Sequence, residues 1–103
     1  MPPHPQAKDL DSHQRDTLLQ VFQHPTSHNI EWHDVLVLLR AVGNVEHRHD
    51  GKYSITIGSE NLVMLPPKHK DVDVQQVVDI RRVLTDSGWD EIVKELEEMG
   101  KEV

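Results

Sequence analysis

The spacing of apolar residues changes period twice along this chain, which restricts the available folds more than any other feature of the sequence. Before Gly43, Trp32, Val35, Leu36, Leu39 and Val42 recur at helical spacing. After it the period falls to two: Val45, His47 and His49 share one parity, and Tyr53, Ile55 and Ile57 alternate with Lys52, Ser54 and Thr56, the pattern of pleated strands. Beyond Asp73 the helical spacing returns. A block of alternation enclosed by amphipathic helices predicts an α+β fold in which a small sheet buries one face against helices.

The breakers set the elements. A first helix is expected over 9–23, with Leu18, Val21 and Phe22 on one side, Leu10 and Leu19 flanking them and Pro25 closing it. A second runs over 31–42 and stops at Gly43. Strands are expected over 44–49, 52–57 and 62–65. Asp50-Gly51 turns the first hairpin, Gly58-Ser59-Glu60-Asn61 turns the second, and Pro66-Pro67 ends the meander. Asp73 is the expected cap of a third helix with Val74, Val77, Val78 and Arg81 or Leu84 inward, ended by Ser87-Gly88. Trp89, Ile92, Val93, Leu96 and Met99 form the stripe of a closing helix over 89–99. A three-stranded antiparallel sheet with helices on one face follows, its other face solvated or free to interact.

The 103 residues suffice for one hydrophobic core, expected over 9–103. Residues 1–8 hold three of the six prolines and no apolar periodicity, the composition of a disordered leader. The absence of cysteine excludes disulfides, thiolate metal sites and thiol nucleophiles. No stretch approaches the roughly 18 apolar residues that cross a bilayer, and a cytoplasmic location is expected.

The formal charge is −7, but it is unevenly spread. From Asp86 onward seven acids face two lysines, which leaves residues 1–85 near neutrality at −2. Eight histidines would carry the total to +1 if all were protonated, so anion binding should strengthen in mild acid. Gly58-Ser59 lacks the glycine spacing of a phosphate-binding loop, which excludes nucleotide chemistry of that kind. His47-x-His49-Asp50 alternates like a metal hairpin, but two or three ligands on one exposed turn close no site; no metal or cofactor is expected. Lys68-His69-Lys70 forms a small basic cluster. Arg81-Arg82 could reach phosphates or an acidic partner, or cover apolar surface. Trp32 is expected in the core.

From Asn29 to Met99 the order of elements and several local motifs resemble the HicA family of small toxins encoded beside HicB antitoxins. EWHDVLVLLRAVG over 31–43 is similar to the family's first helix with its glycine stop. Met64-Leu65-Pro66-Pro67-Lys68-His69 resembles the segment leaving its third strand, and VQQVVDIRRVLTDSG over 74–88 looks like the helix behind its sheet. The resemblance implies a fold akin to double-stranded-RNA-binding domains, messenger RNA as target and a HicB-like antitoxin as partner. The family's second strand opens Gly-Ser-His, with the histidine as proposed catalyst of RNA cleavage; here Gly51-Lys52-Tyr53 stands there. Metal-free cleavage needs a group that takes and gives a proton near neutrality, which suits imidazole and not phenol. The resulting expectation is RNA binding through Arg48, Lys52, Tyr53, Lys68, His69 and Lys70, with ribonuclease activity weakened or lost. Two alternatives stay open: an active messenger-RNA interferase in which His47 or His49 is catalytic, and a protein-interaction module with no RNA ligand, which the acidic total favours.

Overall fold

The computed structural model of the protein describes residues 5–101. After a 3-10 turn, Ala7–Asp9, come helices α1 (Ser12–Val21) and α2 (Trp32–Val42). Strands β1 (Asn44–His47), β2 (Tyr53–Ile57) and β3 (Glu60–Met64) follow, then helices α3 (Val74–Asp86) and α4 (Trp89–Lys101). The sheet is an antiparallel meander in the order β1-β2-β3. The architecture is therefore α+β, as the change of apolar period requires.

Register explains which side the helices cover. Val45 pairs with Ile55 and Ile55 with Leu62, while His47 pairs with Tyr53 and Tyr53 with Met64. These residues share one face with Ile57, and Ile55 and Ile57 are buried in the core. The opposite face presents Asn44, Glu46, Ser54, Thr56, Asn61 and Val63, most of them exposed. Asn61 is tied into that face, its Nδ2 donating to the Ile55 carbonyl at 3.2 Å and to Thr56 Oγ1 at 3.0 Å. The open face is thus mainly polar, with Val63 exposed on it and the Asn61 amide already engaged.

Helices α1 and α3 both start in reciprocal caps. Asp11 and Gln14 bracket the start of α1, and Asp73 and Gln76 that of α3, each carboxylate accepting from the backbone N–H three residues on at 2.8 Å. Each glutamine accepts in return from the capping residue's N–H at 3.0 Å, so two otherwise orphaned donors per helix are satisfied. At the other end of α2, Gly43 permits the turn into β1. A Cβ there would lie 2.2 Å from the Thr56 carbonyl oxygen, so the close approach of the α2 terminus to β2 requires glycine.

Several expected boundaries move. The first helix begins at Ser12, because the Asp11 cap stops it there. Residues 1–4 of the expected leader lie outside the described residues, and Ala7 is already in a 3-10 turn whose carbonyl accepts from Arg15 Nε at 3.2 Å. β1 ends at His47, so His49 leaves the strand face expected for it and sits in the turn. The second hairpin turn is only Gly58-Ser59; Ile57 pairs with Glu60 and Thr56 with Asn61, which places Glu60 and Asn61 in β3. Gly58, at φ 59°, supplies the left-handed step of this two-residue turn.

The inward face of α3 is Val77, Ile80, Val83 and Leu84. Val74 and Val78, expected inward, are exposed. With valine or isoleucine at 74, 77, 78, 80 and 83, the apolar arc is wider than the buried one, and contact with β3 on one side and α1 and α4 on others selects the arc. Arg81 is half-buried and structural: its Nε donates to the Val21 carbonyl at 2.8 Å and its Nη2 to Thr26 Oγ1 at 3.1 Å. It fastens α3 to the end of α1, where helix carbonyls lack partners. α2 buries Leu38 in addition to Val35, Leu36 and Leu39, because it lies between α1 and the sheet. In α4, Trp89, Ile92 and Val93 enter the core with Leu96 packed against it, while Met99 is 64% exposed. Among the described residues no helix is long and apolar enough to cross a membrane.

Candidate nucleic-acid interface

The sequence-predicted site residues come from two segments far apart in the chain, and the structure brings both to the same end of the sheet. His47, Arg48, His49, Lys52 and Tyr53 belong to the β1–β2 hairpin, and Lys68, His69 and Lys70 to the loop between β3 and α3. A short backbone ladder docks that loop on the start of α2: the Trp32 N–H donates to the Lys70 carbonyl and the Val72 N–H to the Ile30 carbonyl, each at 2.9 Å. Lys70 Nζ also meets Glu31 Oε1 at 2.7 Å, and this carboxylate raises the Lys70 pKa above its ordinary value. Gly51 of the hairpin and Pro66, Pro67, Lys68 and His69 of the loop line one groove of about 560 Å3.

The hairpin tip is held by its own short contacts. The Arg48 N–H donates to the Lys52 carbonyl at 2.8 Å and the Gly51 N–H to the Arg48 carbonyl at 3.1 Å. Asp50 Oδ1 accepts from the Lys52 backbone N–H at 3.0 Å, and its other oxygen pairs with Arg48 Nη2 at 3.2 Å. That backbone hydrogen bond, followed by the nearby Arg48 and Lys52 charges, holds the Asp50 carboxyl below its ordinary value. Two of the four expected phosphate contacts, Arg48 and Lys70, are thus engaged by carboxylates. Lys52 and Lys68 form no ion pair among the described residues.

Tyr53, named among the expected RNA-binding residues, is only partly exposed. It lies on the helix-covered face, half-buried, because it has the same parity as Ile55. Its ring stacks on the His47 imidazole with centroids 4.3 Å apart and planes 4° apart. It also meets Trp32 in a T-shaped contact at 5.3 Å and 82°. The arrangement follows from register: His47 and Tyr53 are direct cross-strand partners, and such side chains stand close enough for ring contact. Trp32 is only partly buried and packs against the core's edge, so it supports this stack as well as the core.

His47 is exposed, and so is His49. Together with Glu46, Arg48 and Asp50 they line a cleft of about 330 Å3 on the hairpin. Imidazole nitrogens lie in the ring plane, so stacking on Tyr53 leaves them free to exchange protons or hydrogen bonds. Among the described residues no three histidine, aspartate or glutamate side chains assemble into a group that could hold a metal ion.

Carboxylates outnumber cations at this end. Arg48, Lys52, Lys68 and Lys70 stand among Glu31, Asp34, Glu46, Asp50, Asp71 and Asp73, so four cations meet six carboxylates.

A further ion pair, absent from the sequence reading, joins α1 to α2: His13 Nε2 meets Asp34 Oδ1 at 3.0 Å. The hydrogen bond and then the charge of Asp34 raise the His13 pKa above 6.5. The two residues are 21 apart in sequence, and no local spacing rule would have joined them.

Comparison of the chain with protein-family models, with curated proteins and with solved structures finds no match.

Proposed function

We propose that this chain is an RNA-binding domain of the HicA toxin kind, acting in the cytoplasm, whose ribonuclease activity is weakened or lost. The observation that carries the reading is the convergence of the β1–β2 hairpin and the Lys68-His69 loop on one groove. Lys68 and His69 line that groove beside Gly51, together with Asp71 and Asp73, and the same hairpin carries Lys52 and the Tyr53–His47 ring pair, whose His47 ring is exposed; cations beside an exposed ring are what unpaired nucleic acid uses. The loss of cleavage rests on Tyr53, which occupies the resembling family's histidine position and whose ring is packed against His47 and Trp32. A phenol so placed is a poor proton shuttle near neutral pH.

A second reading is favoured by one observation: His47 is the register partner of Tyr53. An imidazole therefore stands beside the place where the family's catalyst would be, and an active messenger-RNA interferase could use it.

Purified protein incubated with a mixed single-stranded RNA pool at about pH 6 and about pH 7.5 separates the readings, because histidines ordinarily gain charge across that interval. The proposal expects retention without cleavage, stronger at the lower pH. Cleavage abolished by His47→Ala in a folded variant replaces it with the enzyme reading. Absence of both cleavage and retention removes RNA and leaves a protein partner, of which a HicB-like antitoxin is the one the resemblance suggests.

A further inference from the structure

The Tyr53–His47 stack ends at the edge of the sheet. Rings that stack between paired strands do so along the cross-strand direction, and Tyr53 and His47 are paired across β2 and β1. Among the described residues β1 has no strand on its outer side. The next place in the series beyond His47 therefore lies outside the sheet, next to an exposed imidazole.

We infer that this place is a nucleobase subsite, in which one unpaired base of a single-stranded RNA stacks on the outer face of His47 and extends the Tyr53–His47 stack by one ring. The inference rests on the RNA-binding reading above and specifies its ligand. Two features argue for a base. The hairpin cleft of about 330 Å3 beside His47 is at the small end of ligand pockets. His47 is braced by a nearly parallel ring at 4.3 Å, itself braced by Trp32 at 5.3 Å, so the platform is already ordered before a base arrives and little side-chain freedom is lost on binding. Arg48 lines the same cleft but is paired with Asp50 at 3.2 Å, so a phosphate attached to a stacked base has to compete with that carboxylate. A duplex offers no such ring, since its bases are stacked on one another; the subsite selects unpaired nucleotides and tolerates any base identity.

The test uses the full chain and a short single-stranded oligouridine carrying one 2-aminopurine and an end label, so that binding is read by anisotropy and stacking by 2-aminopurine quenching. Quenching on binding is expected, with loss of quenching and about tenfold weaker binding in His47→Ala, the scale of one base–aromatic stack. His47→Phe, which keeps a ring and removes the titrating group, should restore both signals. This variant also separates stacking from proton transfer, and circular dichroism checks that each variant folds. Binding without quenching, or with quenching unchanged in His47→Ala, overturns the subsite while the RNA-binding reading survives. No anisotropy change at either about pH 6 or about pH 7.5 overturns the RNA-binding reading and the subsite with it.

Discussion

Gly43 is the residue whose replacement the geometry constrains most tightly. Its φ of −164° is open to any residue, so the constraint is contact: a Cβ would sit 2.2 Å from the Thr56 carbonyl and about as close to Ile57 as atoms can approach. Gly43→Ala should destabilise the protein by about 1–3 kcal/mol, the cost of overpacking, read as a lower urea midpoint with unchanged slope. His13 makes a prediction of a different kind. Its pKa in the folded protein is raised above 6.5 by Asp34, so the pair's contribution is fully present below pH 6.5 and is lost as pH rises through the raised value. Asp34→Asn should therefore lower the melting temperature more in mild acid than above that window. An equal loss at both ends would show that the aspartate acts only through uncharged hydrogen bonding. Asp50 has the opposite sign: its lowered carboxyl pKa contributes above 3.8, and the contribution is lost as pH falls through the depressed folded value.

At the scale of elements, the helices were more legible than their faces. Asp73 could be assigned as a cap from sequence, and the same aspartate-to-glutamine spacing at Asp11 and Gln14 was equally readable as the true start of α1. The buried arc of α3 was not, because valines occupy both its inner and outer sides and only contact with α1, β3 and α4 chooses between them. Arg81 shows the same limit: a doublet of arginines reads as a patch for anions, yet Arg81 Nε is spent on the Val21 carbonyl. Arg81→Ala should cost about 2 kcal/mol, since it leaves carbonyls at the end of α1 without a charged donor. Arg82→Ala, at an exposed position, should leave stability nearly unchanged, and equilibrium unfolding of the two variants makes the comparison directly.

For the molecule as a whole, the two ends of β2 carry different business. Tyr53, at one end, faces the hairpin and its histidines, whereas Ile57, at the other, adjoins Gly58, Ser59 and the Trp89 that begins α4. The acidic C-terminal helix thus starts at the end of β2 remote from the candidate RNA site, and Trp89 is part of the core. Trp89→Ala should cost about 3–5 kcal/mol, detectable as a fall in melting temperature. RNA retention, if it follows the proposal, should weaken steeply between about 50 and 200 mM salt through counterion release. Lys52→Gln and Lys68→Gln should each flatten the salt slope by about 0.7, the contribution of one phosphate contact on a single strand. A slope unchanged in both variants would move the phosphate contacts elsewhere on the surface.

The sequence by itself determined the class of fold, the order of its elements and the turns between them. Period, caps and breakers act over a few residues, so a helix from Trp32 to a glycine stop and a strand alternating through Ile55 follow from local sterics and burial alone. It also marked the hairpin and the Lys68-His69 loop as chemically distinct segments. Only the tertiary structure decided that these segments share a groove, that Tyr53 faces inward and leaves His47 as the outermost ring, that Arg48, Lys70 and Arg81 are already engaged, and that His13 meets Asp34. Each of those depends on which residues distant in the chain come within a few ångströms of one another, and that is set by strand register and helix docking across the core.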